Sequence, residues 1–345
     1  MINEQFDYKP FFYKNAQLED ATAAYSLRKV RSAYTGSAIE VRRSSDGDTL
    51  DIGFDSNGDL DTAALLAFVG TGGTDNGFVT TCYDQTQNDP LNQNNATQSD
   101  PAKMPLIVDG GTVTQLNSRA AINGDGVDDM LSLGTGLDLS SGYSIFQVVQ
   151  VPSANTYGIT ISSSDVSNFS RTMMFDGLYR LSADGTNYDN YGSSGNRGAQ
   201  YLWSSVVDGS GNLDTNRNGS AYGSQITGVT GTFELDIIGT NIGVNSFEFF
   251  QELIVFNSEQ SSNRQDIEKN IADYYEITLS GNSGVESWVK NVSFADMYQI
   301  WYDYEDLHRL FANFEIPNKV SKVLAYTNEL TADQRQQVYD YLQKN

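Results

Sequence analysis

Tyrosines within a Gly-, Ser- and Asn-rich stretch are the side chains whose chemistry is easiest to anticipate. Tyr188 and Tyr191 lie in residues 184–198, among several Asn and Asp residues. A tyrosine ring offers a flat apolar face that can stack on a sugar, and neighbouring amides and carboxylates can hydrogen-bond its hydroxyl groups. We therefore predict that both tyrosines are exposed and contact carbohydrate. The alternative is that the stretch is simply a solvated turn.

Clustered carboxylates are a second source of chemistry. Asp125, Asp128 and Asp129 lie in the segment NGDGVDD. Such a cluster can hold a metal ion or supply a general acid and base. Gly-rich tight turns also favour aspartate for conformational reasons alone. We favour the turn and assign no catalytic residue.

Two segments have a spacing of Asp and Asn residues that resembles calcium-binding loops. They are residues 55–61 and residues 214–219. Leu66 and Gln225 stand where an EF-hand would place its bidentate glutamate. For the second segment we predict a hairpin with an Asn-Gly turn. We therefore expect no cofactor and no metal ligand, with Ca²⁺ at the first segment as the open alternative.

Cysteine and histidine chemistry has little basis in this sequence. Cys82 and His308 are the single residues of their types, which excludes an internal disulfide and a multi-histidine metal site. Cys82 lies in an alternating run, which predicts a buried strand residue. The motifs of serine hydrolases, phosphate-binding loops and zinc proteases are absent from the sequence. An enzyme is therefore not our leading expectation, and any hydrolase would use two carboxylates.

Net charge excludes several partners. The chain has 345 residues with 21 basic and 44 acidic side chains, a formal charge of −23. Such a charge repels nucleic acids and anionic membrane surfaces. The first residues, MINEQFDYKPFF, have neither the basic nor the apolar region of an export signal, and no apolar run is long enough to span a bilayer. We expect no nucleic-acid partner, no membrane insertion and no export.

The elements that would position these residues are mostly strands. The 31 glycines and 20 tyrosines, with 6 prolines, favour short strands joined by tight turns, as in a sandwich or barrel. Two strands, 144–151 and 248–256, carry apolar residues on both faces and are predicted to be central. The predicted strands are 38–43, 78–83, 120–123, 143–151, 158–162, 171–175, 202–207, 233–238 and 247–256.

Helices are predicted at three places. Asp20 would cap a first helix that ends at Gly36. A capping box of Ser262 and Gln265 predicts a second helix over 263–275, and a similar signal predicts a third over 332–343. The predicted domains are an aromatic arm (1–18), a β-sandwich (19–280) and a helical appendage (281–345).

Several segments together resemble two known groups of proteins. Residues 24–53, AYSLRKVRSAYTGSAIEVRRSSDGDTLDIG, followed by CYDQ at 82–85 and NNATQ at 94–98, resemble the N-terminal part of the catalytic domain of B-type α-L-arabinofuranosidases. INGDGVDDMLSLG at 122–134 and QELIVFNSEQSSNRQDIEKNIADYY at 251–275 resemble the laminin-G-like, concanavalin A-like modules of bacteriophage virion and bacterial surface proteins. The resemblance implies a jelly-roll sandwich of two antiparallel sheets.

The functional expectation follows from this resemblance. It implies a bacteriophage virion structural protein, as capsid decoration, fibre or tail component, with a lectin-like domain that binds host glycans. The residues predicted to contact the glycan are Tyr83, Asp84, Tyr188 and Tyr191. The implied partners are other virion proteins, further copies of the chain and a cell-surface glycan, and the implied location is a virion assembled in the host cytoplasm. The alternatives are a glycoside hydrolase of the α-L-arabinofuranosidase type, whose active-site cysteine pair a single Cys82 cannot form, and a structural cement protein without a ligand.

Overall fold

The computed structural model describes residues 18–86, 94–165, 169–241 and 245–280, and the backbone of two short strands near the C terminus. The chain divides into two compact units, Met1–Gly281 and Asn282–Asn345. The predicted aromatic arm except Leu18, the predicted helix 332–343 and His308 lie outside the described residues. The described backbone of the second unit is one parallel pair of strands.

The first unit contains 21 strands within the described residues, and the second contains β22 and β23. The strands are β1 (Ala23–Ser26), β2 (Ile39–Arg43), β3 (Thr49–Ile52), β4 (Gly77–Cys82), β5 (Ala96–Thr97), β6 (Leu106–Asp109), β7 (Thr112–Val113), β8 (Gln115–Leu116), β9 (Arg119–Ala120), β10 (Ile122–Asn123), β11 (Met130–Leu139), β12 (Tyr143–Gln150), β13 (Tyr157–Ser162), β14 (Arg171–Phe175), β15 (Leu178–Ala183), β16 (Thr186–Tyr191), β17 (Tyr201–Val207), β18 (Leu213–Arg217), β19 (Ser220–Ala221), β20 (Phe233–Gly239), β21 (Phe249–Phe256), β22 (Gln299–Tyr302) and β23 (Leu324–Tyr326).

Helices are few in the described residues. They are α1 (Thr62–Val69), α2 (Arg264–Tyr275) and a short 3₁₀ turn, Pro101–Lys103. No helix among them combines the length and apolar character needed to span a membrane. The prediction of a mainly β chain with the character of a β-sandwich is confirmed.

Antiparallel pairing joins most strands of the first unit into one sheet that folds back on itself. One layer runs β18, β17, β12, β21, β1, and the other runs β16, β15, β14, β13, β20, β11, β5, β4, β2, β3. Strand β10 pairs with both β21 and β6, which connects the layers at one edge. The main hydrophobic core lies between the two layers.

Strands β12 and β21 are buried on both faces, as predicted. Ile145 and Val149 of β12 belong to the core between the layers, while Phe146 and Val148 belong to a second cluster beneath helix α2. The apolar face of α2 therefore covers the outside of this layer, as an amphipathic helix does on a sheet. This explains why the two strands read as almost continuous apolar runs.

The nine predicted strands are all present, with boundaries shifted by at most two residues or, at 120–123, interrupted at Ala121. The predicted Asn-Gly hairpin also forms between β18 and β19. Asn218 and Gly219 both have positive φ, at 50° and 81°, as a two-residue hairpin turn requires.

The predicted first helix is wrong, because residues 23–26 form strand β1. This strand pairs along β21, with Ala24 opposite Ile254 and Ser26 opposite Glu252. All four residues of β1 are buried, so both of its faces are covered. The apolar residues of this segment are spaced as in an amphipathic helix. They belong instead to a strand that packs against the main core on one face and helix α2 on the other.

Two details of the helices also differ from the sequence prediction. Helix α1 has no counterpart in the prediction, and Asp61 caps it by accepting a hydrogen bond from the Ala64 amide at 2.9 Å. The Ser262 capping box does not form, because α2 begins after Asn263, whose side chain donates to Gln260 at 2.9 Å. Which residue caps a helix thus depends on the residue at which the helix begins, and tertiary packing decides that position.

A buried ion pair fastens β1 and β21 to helix α2. Arg28 donates to both carboxylate oxygens of Glu252, at 2.7 and 2.9 Å. The hydroxyls of Ser26 and Tyr275 also donate to Glu252, at 2.7 and 3.2 Å. Arg28 donates further to Asn270 on α2, at 2.9 Å. The carboxylate is therefore paired on both oxygens, which a charge away from water requires.

We expect Arg28→Met to lower the free energy of unfolding by about 3–5 kcal/mol, because it leaves Glu252 buried without its cation. Urea denaturation followed by tryptophan fluorescence measures the change. The control is Lys269→Met, which breaks the exposed Lys269–Asp273 pair on the same helix and should cost about 0.3–0.5 kcal/mol. Equal losses in the two variants would contradict the importance of the buried pair.

Candidate functional site

The CYDQ segment meets strand β1 inside the protein. Asp84 is fully buried, and its Oδ1 accepts a hydrogen bond from the Ala24 amide at 3.0 Å. The same oxygen accepts from the amide and hydroxyl of Thr86, at 3.0 and 2.9 Å. Burial raises the pKa of Asp84, although these donors act in the opposite direction. Asp84 thus holds backbone in place.

Gln85 fastens the chain that leaves β1. Its Nε2 donates to the carbonyls of Ser26 and Arg28, both at 2.9 Å, and its Oε1 accepts from the Val30 amide at 2.9 Å. The side chain is almost fully buried. One amide side chain therefore hydrogen-bonds to three backbone groups in the interior, where buried backbone groups require partners.

The NNATQ segment completes the same network. The Tyr25 hydroxyl donates to the Asn94 carbonyl, and the Asn94 Oδ1 accepts from the Thr135 amide at 2.9 Å. The Asn95 side chain accepts from the Asp84 amide at 3.0 Å. The three motifs that carry the arabinofuranosidase resemblance thus meet at one place, and their contacts there are structural.

Tyr83 points to a different neighbour. Its hydroxyl donates to Asp51 on β3 at 2.6 Å, and burial and this bond raise the pKa of Tyr83. Within the described residues, no hydrogen bond or ring contact joins Tyr83 or Asp84 to Tyr188 or Tyr191. A carbohydrate contact at Tyr83 and Asp84 stays a prediction.

Cys82 is buried in strand β4, as predicted. Burial, with a smaller contribution from the Asp84 charge, raises the pKa of its thiol to about 12. The thiol is therefore protonated at neutral pH, and a nucleophile requires the thiolate.

The aspartates of the NGDGVDD segment form a turn. Asp125 Oδ1 accepts from the amides of Val127, Asp128 and Asp129, at 2.7, 3.1 and 3.3 Å. Asp129 is buried and accepts from the Asp125 amide at 2.9 Å. Burial, and then repulsion by Asp125 and Asp128, raises the pKa of Asp129 to about 6. The conformational role that we favoured for this segment accounts for these contacts.

The first calcium-like segment also uses its carboxylates within the protein. Asp55 accepts from the amides of Asn57 and Asp59, at 2.7 and 3.1 Å, and Asp61 caps helix α1. Asp59 lies 3.6 Å from Arg119. No group of three or more His, Cys, Asp or Glu side chains in the described residues is placed to hold a metal ion. Calcium binding there stays a prediction.

Tyr188 and Tyr191 lie on strand β16, and the predicted exposure holds for one of them. Tyr191 is 70% exposed, whereas Tyr188 is 8% exposed and belongs to the main core. The expected exposure of Tyr188 is wrong because successive strand residues point to opposite faces. The Tyr188 hydroxyl is also occupied, donating to the Thr230 carbonyl at 3.0 Å. Tyr191 is the sequence-predicted residue that faces solvent.

Tyr191 ends a row of apolar side chains that crosses four strands. Tyr157 of β13 pairs with Phe175 of β14, Phe175 with Leu178 of β15, and Leu178 with Tyr191 of β16. Directly paired residues lie on the same face of a sheet, and strands lie about 4.8 Å apart, so the row is about 14 Å long. The Tyr157 and Phe175 ring centroids are 5.2 Å apart. We call these four side chains the aromatic row.

A polar pair lies beside the aromatic row. Arg180 pairs with Asp189 across β15 and β16, through two hydrogen bonds of 2.5 and 2.8 Å. The guanidinium also lies over the Phe175 ring, 5.4 Å from its centroid. Sequence reasoning missed Tyr157, Phe175 and Arg180, because only the strand register brings them next to Tyr191.

A separate polar depression lies near the start of α2, with a volume of about 250 Å³. Several of its groups already have partners, since Gln225 donates to Asp214 at 3.0 Å and Thr215 accepts from Asn190 at 2.9 Å. It offers no aromatic surface, so the aromatic row is the better candidate site. Its lining residues are Asp214, Thr215, Asn216, Ala221, Gly223, Ser224, Gln225 and Arg264.

The fold is similar to that of solved arabinofuranosidases. A mutant of GH54 α-L-arabinofuranosidase soaked with 4-nitrophenyl α-L-arabinofuranoside overlays with a TM-score of 0.54 at 14% sequence identity, over 74% of this chain and 64% of that one. An arabinofuranosidase complexed with arabinofuranosyl-α-1,2-xylobiose overlays with a TM-score of 0.54 at 14% identity, over 75% of this chain and 64% of that one. This chain thus spans 64% of their length. No family model and no curated sequence matches it.

These likenesses support the fold that the N-terminal motifs implied. At 14% identity, the similarity supports a shared fold and does not identify an activity. The resemblance to bacteriophage virion modules stays a prediction.

Asp129 should make stability depend on pH. Its folded pKa of about 6 lies above the ordinary value of 3.8, so the folded protein binds this proton more tightly than the unfolded chain does. The resulting stabilisation is complete below about pH 4 and is lost as the pH rises through about 6. We expect Asp129→Asn to flatten this part of the profile, measured by urea denaturation from pH 4 to 7. The exposed control Asp20→Asn should keep the wild-type slope, and an unchanged slope in Asp129→Asn would refute the assignment.

Proposed function

We propose that the protein binds carbohydrate through the aromatic row on the outer face of β13–β16. The observation that carries this proposal is the strand register, which aligns Tyr157, Phe175, Leu178 and Tyr191 on one face. Tyr191 is 70% exposed at the end of a paired strand, where its backbone is held by β15. Large aromatic side chains exposed on a rigid surface are typical of binding sites.

Polar groups beside the row suit the hydroxyl groups of a sugar. The Arg180–Asp189 pair presents fixed donors and acceptors next to the Phe175 ring. Asn187 on the same strand is exposed, and its Oδ1 accepts from the Ser182 hydroxyl at 2.7 Å. A flat ring with adjoining planar polar groups matches the alternation of apolar and hydroxyl-bearing faces of a pyranose.

The same geometry favours binding over hydrolysis. Glycosidases generally need two carboxyl groups on either side of the scissile bond. Among the described residues of β13–β16, Asp189 is the one carboxylate, and Arg180 already pairs with it. The second carboxylate near the row, Asp176 in the turn between Phe175 and Leu178, also has partners: it accepts from the Gly195 amide at 2.6 Å and lies 4.0 Å from Arg197.

The test is binding of the purified protein to a glycan array, followed by calorimetry with the best ligand. We expect Tyr191→Ala to weaken binding about two- to tenfold, since stacking on an aromatic ring is worth about 0.5–1.5 kcal/mol. The comparison variant is Tyr83→Ala, at the other sequence-predicted position, and it should bind as the wild type does. Loss of binding in Tyr83→Ala alone would move the site to the CYDQ segment.

The two alternatives correspond to other outcomes. A protein that binds no glycan on the array is better explained as a structural cement without a ligand. Release of arabinose from a chromogenic arabinofuranoside by the wild-type protein, but not by an inactivated sample of it, would instead support the hydrolase.

We further propose that this binding module is a component of a bacteriophage virion, assembled in the host cytoplasm with other virion proteins and further copies of itself. The support is the resemblance of residues 122–134 and 251–275 to modules of virion proteins. We expect the chain to be present in purified particles, which mass spectrometry of a density-gradient preparation measures. Its presence in the lysate and absence from particles would contradict a virion role.

A further inference from the structure

The outer face of β13–β16 carries a positive charge that has no counter-ion among the described residues. Arg171 at the start of β14 pairs with Ser162 on one side and Ser182 on the other. Its guanidinium lies over the Phe169 ring, 4.5 Å from the centroid. Its Nε is buried and has no hydrogen-bond partner in the described residues. No carboxylate there lies within ion-pair distance of Arg171.

Among the described arginines, Arg42, Arg171 and Arg217 have no carboxylate within ion-pair distance, although the chain is acidic. The guanidinium of Arg217 donates to Ser193 and Asn196 instead. With a net charge of −23, carboxylates are available to most cations, and Arg28, Arg31, Arg43 and Arg180 each have one within 3.2 Å. Arg171 instead lies near a second cation, Arg180. Burial, and then that cation, lowers the pKa of Arg171. An anion at this position would offset both effects.

The position of Arg171 relative to the aromatic row suits a saccharide that reaches from one to the other. Arg171 and Phe175 lie on the same face of β14, four residues and therefore about 13 Å apart along the strand. A ring stacked on Phe175 would thus place the next sugar of the same saccharide near the guanidinium.

We propose that this face selects acidic saccharides, with the guanidinium of Arg171 binding the carboxylate of a uronic or sialic acid residue. The inference rests on the carbohydrate binding proposed above and adds the class of ligand. Arginine suits this task because its planar fork matches a carboxylate, and its stacking on Phe169 holds the fork in place. The preference arises from charge complementarity at Arg171, which has no carboxylate within ion-pair distance among the described residues.

The experiment compares each acidic sugar with its methyl ester, which keeps the carbon skeleton and removes the charge. The probes are a galacturonic acid trisaccharide and sialyllactose, each as free acid and as methyl ester, titrated into the full chain by calorimetry. We expect the free acid of at least one pair to bind about tenfold or more tightly than its ester, as for hydrogen bonds to a charged group. The pair that shows the difference identifies the source of the carboxylate.

The decisive variant is Arg171→Met, which removes the charge and keeps an apolar stem against Phe169. We expect it to bind acid and ester equally, at the affinity that the wild type has for the ester. Arg171→Gln serves as the second variant if Arg171→Met fails to fold. The matched control is Arg43→Met, since Arg43 also lies over a phenylalanine ring, at 4.8 Å from Phe68, and its charge is paired with Asp46. It should keep the preference for the acid.

The outcomes separate this inference from the proposed function. Equal binding of acid and ester by the wild type, together with Tyr191-dependent binding of neutral glycans, would overturn the acidic preference and leave carbohydrate binding intact. An acid preference that survives in both Arg171 variants would also overturn the inference. Failure of every acidic, esterified and neutral glycan to bind would overturn the proposed function as well.

Discussion

The burial of Glu252 in the middle of β21 is the constraint on which the rest of the sandwich depends. A carboxylate at this depth requires a cation and donors, and these come from two distant parts of the chain: Ser26 and Arg28 beside β1, and Tyr275 on α2. Satisfying Glu252 therefore fixes β1 against β21 and α2 against the outside of the layer at the same time. Asp84 and Gln85 then hold the backbone on either side of Arg28.

This arrangement leaves the outer face of strands β13–β16, which we propose binds carbohydrate, open to solvent at Tyr191. Helix α2 covers the outside of the layer that contains β12 and β21, so its strands are apolar on both sides. Strands β13–β16 have one face in the core, with Tyr188 among its members, and one face that reaches solvent through Tyr191. The row of rings and the two arginines occupy a face that neither described helix covers. The core side of these strands would make the proposed binding face rigid.

Much of the fold could be predicted, and the failures have physical reasons. Alternation of apolar residues identified the nine strands, because a strand with one buried face must alternate. Strand β1 was predicted as a helix, since burial on both faces removes the alternation and leaves a pattern that fits either element. Its true state depends on β21, which lies more than 220 residues away in the chain. Of the candidate site, Tyr191 was predicted, and its neighbours in the row were not.

The resemblance to B-type α-L-arabinofuranosidases linked the motifs in residues 24–53, 82–85 and 94–98. By itself, the sequence determined that this chain is mainly β, that it forms no internal disulfide, and that Cys82 lies in a buried strand. These properties follow from composition and local pattern. Only the tertiary structure decided that those motifs are a buried framework, that Tyr188 faces the core while Tyr191 faces solvent, and that Tyr157, Phe175 and Arg171 share a face with Tyr191. The reason is that strand register, which no local pattern records, selects the side chains that stand next to each other.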